Sequence, residues 1–124
     1  MKKYITGDLL HYKICNAKYL IEVTNTSKHG YCFKGVKDDF NGVICDEFIE
    51  DIPLTPEILE KNGWKKDKDG YFNDSYHIRL CESSTNYAAY KVVNDSIVWL
   101  RAVENVPDLQ HLLFGLDISL KIEV

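Results

Sequence analysis

The chain has 124 residues and a mass of 14.3 kDa; it is 45% hydrophobic, 27% charged and 12% aromatic, with a formal charge of -4. A chain this long makes one compact domain or two very small subdomains sharing a core, and the balance excludes collagen-like, disordered and disulfide-scaffold classes. With a pI near 5.5 there is no global electrostatic drive toward duplex nucleic acid.

Lys2-Lys3 is not followed by an apolar stretch of signal-peptide length, and the longest apolar runs, such as Ile97-Val98-Trp99-Leu100, fall far short of a membrane span. The expected location is cytoplasmic. From Leu9 to Cys15 and again from Lys18 to Thr24, apolar and polar residues alternate as in half-buried strands. Residues 25–30 form a turn cluster, after which Tyr31 and Phe33 resume the alternation. Asn41-Gly42 reads as a hairpin turn before Val43–Cys45. Four or five short strands in so little chain match a small barrel of the SH3-like kind.

Thr55-Pro56-Glu57 supplies an N-cap, a proline in the first helical turn and an acid there; Asn62-Gly63 stops the helix. Strands return after Trp64: Tyr71-Phe72 behind a tight Asp69-Gly70 turn, then Tyr76–Cys81, Tyr87–Val93 and Ile97–Val103, the last two joined by Asn94-Asp95. A second helix begins near Pro107-Asp108, capped by Asn105, with Leu109, Leu112, Leu113 and Leu116 on one face. The alternating tail from Ile118 to Val124 is expected to add an edge strand. The predicted fold is α+β and mainly β. An SH3-like small barrel over 1–53 precedes a helix, an antiparallel sheet and a C-terminal helix over 54–124, both halves sharing one core.

Cys15, Cys32, Cys45 and Cys81 contain no C-x-x-C pair and are widely separated, so they are expected to be reduced and structural, three of them inside strands. Lys65–Gly70 resembles a calcium loop, but lysine stands where the first aspartate belongs and Tyr76 where the bidentate glutamate belongs. It reads as a hairpin turn, and no metal or cofactor is expected.

Two surfaces are candidates for function. Asp38, Asp39, Asp46, Glu47, Glu50 and Asp51 form an acidic run without lysine or arginine. It is either a solvated, charged edge or a patch aimed at a basic partner. On the C-terminal sheet, His77 and Arg79 are expected to share a face with Trp99 and Arg101, with Tyr87 and Lys91 between them. Such residues dominate protein interfaces and also stack on bases or bind phosphates. The alternative places a helix over this face, with Trp99 in the core and Arg101 snorkelling. Catalytic signatures are missing: there is no G-x-S-x-G, H-E-x-x-H, phosphate-binding glycine loop or Rossmann fingerprint. His11, His29, His77 and His111 have no sequence partner that suggests a ligand set. A pair such as Cys81 with a distant histidine is left as a minor hydrolase reading.

The segment Ile52-Pro53-Leu54-Thr55-Pro56-Glu57-Ile58-Leu59-Glu60-Lys61-Asn62-Gly63-Trp64 resembles the IPLT-x-E-x-L-x-x-x-G-F block of a group of small uncharacterised proteins. These belong to gut Bacteroidota, their phages and their mobile elements. Residues 103–116 are similar to the group's second block, V-x-x-V-H-x-L-Q-x-L-x-F-A-L, with Pro107 where histidine is usual. Both blocks map to helix-packing positions. The resemblance implies a phage or mobile-element product inside a bacterial host cell, and it carries no catalytic residues. The expected function is therefore a non-enzymatic intracellular binding protein acting on a host or phage protein. The alternative is a sequesterer of a nucleotide-like ligand or a single-stranded nucleic-acid binder.

Overall fold

In a computed structural model, residues 4–27, 30–84, 86–119 and 121–124 are described, except the side chains of Ser27 and Asp46. Among them the fold is mainly β, with two five-stranded antiparallel sheets and two short helices. The chain divides into two compact units, 1–52 and 53–124.

The first unit holds β1 (Leu9–Ile14), β2 (Ala17–Ser27), β3 (Gly30–Gly35), β4 (Asn41–Ile44) and, after a 3-10 turn at Asp46–Phe48, β5 (Ile49–Glu50). They lie in the order β4-β3-β2-β1-β5. Alternation decides which face is core: Leu10, Ile21, Val23, Tyr31, Phe33 and Ile44 bury together with Tyr4, while Tyr12, Phe40 and Ile49 pack against them. Tyr12, Phe33, Phe40 and Tyr19 meet edge to face in a chain of rings 5.5–5.6 Å apart. Asn41 and Gly42 are not the hairpin turn. They pair with Lys34 and Phe33 inside the ladder, and the turn lies upstream, where Gly35 N–H donates to the Phe40 carbonyl at 2.7 Å. Gly42 lies beside the Phe33 ring, and a Cβ there would stand at ordinary contact distance, 3.4 Å, so neither a turn nor a clash calls for glycine at this position.

The second unit starts with α1 (Pro56–Lys61), whose N-cap Thr55 accepts a hydrogen bond from Ile58 N–H and whose end is marked by Gly63 at φ 87°. Then come β6 (Lys65–Asp67), β7 (Gly70–Asn73), β8 (Ile78–Glu82), β9 (Tyr87–Val93) and β10 (Ser96–Val103), a meander ordered β10-β9-β8-β7-β6, and α2 (Val106–Gly115). Asn105 caps α2 by accepting from Asp108 N–H at 2.9 Å. Trp64, Tyr71, Ile78, Leu80, Ala89, Val103, Leu109 and Leu113 are buried. The tail from Ile118 forms no strand among the described residues; Leu120 lies outside them. Instead the Asn62 carboxamide takes the place of a ladder neighbour, accepting from Glu123 N–H and donating to the Glu123 carbonyl, both at 2.7 Å. Ile122 is thereby held in a buried position.

All four cysteines are free thiols. Cys32 and Cys81 lie half-buried in strands, but Cys15 and Cys45 are exposed between strands, where they add nothing to a core. Cys15 occupies a turn position with φ 54°. No helix of the described residues is long and apolar enough to cross a membrane.

Candidate functional site

Directly paired residues on neighbouring strands share a face, so the register of the second sheet assigns every side chain. One face carries Tyr71, Ile78, Leu80, Ala89 and Val103, all buried. α2 packs here, and its Asp108 carboxylate holds Arg101 Nη2 at 3.2 Å. Tyr87, Lys91 and Arg101 belong to this inner face. Lys91 Nζ donates to the Tyr76 carbonyl. Tyr87 stands opposite Glu82 and Val103, its ring 6.2 Å from that of Tyr71. It lines a polar cleft of about 340 Å³ with Leu54, Glu82, Ser83, Asn86 and Glu104. Burial first, then Tyr71 and Glu82, raises its phenol above the ordinary tyrosine value.

The outer face carries a row in direct register across all five strands: Trp99, Tyr90, Arg79, Phe72 and Lys65. Arg79 lies over the Phe72 ring at 5.2 Å and donates to Asp67 Oδ2. That bond, with backbone N–H groups of Asp69 and Gly70, holds the Asp67 carboxyl below its ordinary value. Beside the row runs a shelf of small residues, Ala88, Cys81 and Gly70. At the β9–β10 end the surface opens: Trp99 is 60% exposed and Ile97 62% on this face, and Val98 is 50% exposed on the other.

Of the six residues expected on one face, the structure brings together Arg79 and Trp99. A bulge between Trp99 and Arg101 adds one residue to β10, so Arg101 turns to the helix side. His77 precedes β8 in a turn, at φ 56°, rather than standing in the strand. Tyr90 and Phe72 complete the row and were not singled out from sequence. The signal for the bulge was available: Ile97-Val98-Trp99-Leu100 is uniformly apolar, and Val103 has the parity of Trp99 although the two face opposite ways.

The acidic run does not form one patch. Asp38 and Asp39 are exposed in the turn before β4, and Glu47 is exposed beyond its other end. Glu50 binds Lys18 at 3.0 Å and Lys13 at 3.7 Å, and the Lys18 hydrogen bond holds its carboxyl below the usual range. Asp51 accepts from the Tyr4 hydroxyl at 2.7 Å. The Asp46 side chain lies outside the described residues.

Glu50 also faces His11 across the β1–β5 pair, and His11 Nδ1 is buried with no hydrogen-bond partner. Desolvation, then Lys18, lowers the His11 pKa below 6.5, while Glu50 opposes them. An NMR titration is expected to place His11 below 6.5, and Glu50→Gln is expected to lower it further. As pH falls through 6.5 the unfolded chain binds the proton first, so the first unit loses stability from that point until pH passes the native value, where the loss levels off.

Among the described residues no group of three or more histidines, cysteines, aspartates or glutamates is placed to hold a metal ion. Cys81 lies opposite Gly70 and Ala88, and His29 lies outside the described residues. No family model, curated protein or solved structure matches this chain.

Proposed function

We propose that this protein is a non-enzymatic binding protein that engages a protein partner through the outer face of its second sheet. The observation that carries the reading is Trp99, 60% exposed beside Ile97 on the outer face of the β9–β10 hairpin. A tryptophan left in water contributes little to folding, whereas a tryptophan buried at an interface commonly supplies about 2 kcal/mol or more of binding energy. Two features favour a protein over a polyanion. Asp67 answers the Arg79 charge, and residues 53–124 carry eight basic against eleven acidic side chains. The proposed setting is the inside of a bacterial cell, with a host or phage protein as partner, following the likeness of residues 52–64 and 103–116 to the phage and mobile-element group.

An SH3-like small-barrel reading of the first unit is supported by the order β4-β3-β2-β1-β5, the long β2 with its bulge after Val23, and the 3-10 turn that returns the chain to β1. No pairing of β4 with β5 closes that sheet among the described residues.

The test is retention of a partner from bacterial lysate by the tagged chain, followed by affinity measurement. Trp99→Ala is expected to weaken binding at least tenfold, about 1.4 kcal/mol, with the melting temperature unchanged. Equal retention by the variant would sink the reading. The row of Trp99, Tyr90, Arg79, Phe72 and Lys65 favours a second reading, a stacking platform for a nucleotide-like ligand or single-stranded nucleic acid. That reading predicts salt-sensitive binding of oligonucleotides, weakened by Lys65→Ala.

A further inference from the structure

The two sheets present four edge strands among the described residues, and three are blunted. β5 has two residues and β4 four, too short to template another chain. β6 has three residues, and all three, Lys65, Lys66 and Asp67, are charged. Short or charged edges are the usual protection against edge-to-edge pairing. β10 is different. It runs for eight residues at the margin of its sheet, and its first five, Ser96-Ile97-Val98-Trp99-Leu100, carry neither charge nor proline. Ile97, Val98 and Trp99 within this stretch are all at least half exposed.

We propose that β10 pairs antiparallel with β10 of a second copy of this chain, joining the two sheets into one. The stretch is its own complement. A two-fold axis at Val98 sets Ile97 opposite Trp99 of the other copy, and Trp99 opposite its Ile97. Both residues already share the outer face, so each aromatic ring gains a β-branched neighbour, a favourable cross-strand pair. On the inner face, Val98 meets Val98. The first charges beyond the paired stretch are Asp95 at one end and Arg101 at the other. The antiparallel arrangement brings Asp95 of each copy toward Arg101 of the other, which Asp108 also holds, and the paired stretch itself sets no charges against each other. Both α2 helices then lie on the same side of the joined sheet, and the two aromatic rows continue one another across the axis. The backbone N–H and C=O groups on the margin of β10 supply the hydrogen bonds. Such an edge buries little area, so the association is weak, in the range of roughly 10–100 µM.

The inference does not depend on a protein partner from the host, and its test needs none. Sedimentation velocity of the purified full chain from about 1 to about 200 µM is expected to move from monomer to dimer. Val98→Glu places a carboxylate opposite Lys91 in its own sheet, which the monomer tolerates. In the dimer the same change sets two carboxylates against each other at the axis. It is expected to weaken association at least tenfold, with unaltered circular dichroism and melting temperature, whereas Val98→Thr keeps the dimer. A wild-type chain that stays monomeric at the highest concentration overturns the proposal, whether or not a host protein is captured. A dimer that persists equally in Val98→Glu also overturns it, because the contact then lies elsewhere.

Discussion

Trp64→Ala is expected to destabilise the second unit by about 3–5 kcal/mol, the cost of emptying a large aromatic site in a close-packed core. Trp64 follows Gly63 directly, is 2% exposed, and its backbone N–H donates to the Leu59 carbonyl at 3.0 Å. Its ring is among the largest fully enclosed side chains, at the junction where α1 ends and β6 begins in the chain. Its removal leaves a short helix without the packing that sustains it, since six residues do not hold a helix unaided. The indole carries a second consequence. Nε1 is buried with no hydrogen-bond partner, so the folded state bears the desolvation of a donor it does not use. Trp64→Phe removes that donor and keeps most of the ring, and it should cost much less than the alanine change. Urea unfolding followed by far-ultraviolet circular dichroism separates the two. Equal losses in both variants would show that the indole N–H is satisfied in solution.

Gly70→Ala is expected to cost about 2–4 kcal/mol and to loosen the β7–β8 pair. Gly70 closes the β6–β7 hairpin at φ 148°, and a Cβ there would stand 2.0 Å from the Leu80 carbonyl oxygen and 3.1 Å from Cys81 Cα. Neither neighbour is a movable side-chain end; both belong to the backbone of β8. The turn has its own support, as Asp67 Oδ1 accepts from the N–H groups of Asp69 and Gly70. The strain cannot be relieved by moving the turn without losing those bonds. Because Trp64 and Trp99 both lie in the second unit, tryptophan fluorescence reads its unfolding directly. A midpoint equal to that of the wild type would mean that β8 shifts to admit the methyl group. Gly63, which has open space around its Cβ position, is the matched control for left-handed backbone without a clash.

Local chemistry carries its information in a few adjacent residues, and those parts of this protein could be read directly. Thr55-Pro56 and Asn105 cap their helices because a side-chain oxygen three residues from a free N–H is a matter of spacing. Alternation in β1 and β2 named the core face of the first sheet for the same reason. Asn41-Gly42 misled because the pair is drawn into the ladder opposite Lys34 and Phe33, while the turn forms just upstream, where Gly35 N–H reaches the Phe40 carbonyl. The tail misled because its alternation is real, yet Asn62, some sixty residues upstream, takes up its backbone bonds.

The candidate site shows the same division more sharply. Residue types pointed to the C-terminal sheet and to Trp99, and there the exposed aromatic surface lies. Which side chains keep it company depended on parity, and one added residue at the bulge reverses parity for everything after it. Arg101 thus became a partner of Asp108 beneath α2, while Tyr90 and Phe72 came into line with Arg79. The acidic run was legible as composition but not as a patch, because Glu50 is answered by Lys18 of β2 and Asp51 by Tyr4 of the segment before β1. Caps, turns and strand faces follow from the order of neighbouring residues, which the sequence contains. The face α2 covers and the edge left open follow from contacts between distant segments, and those exist only once the chain has folded.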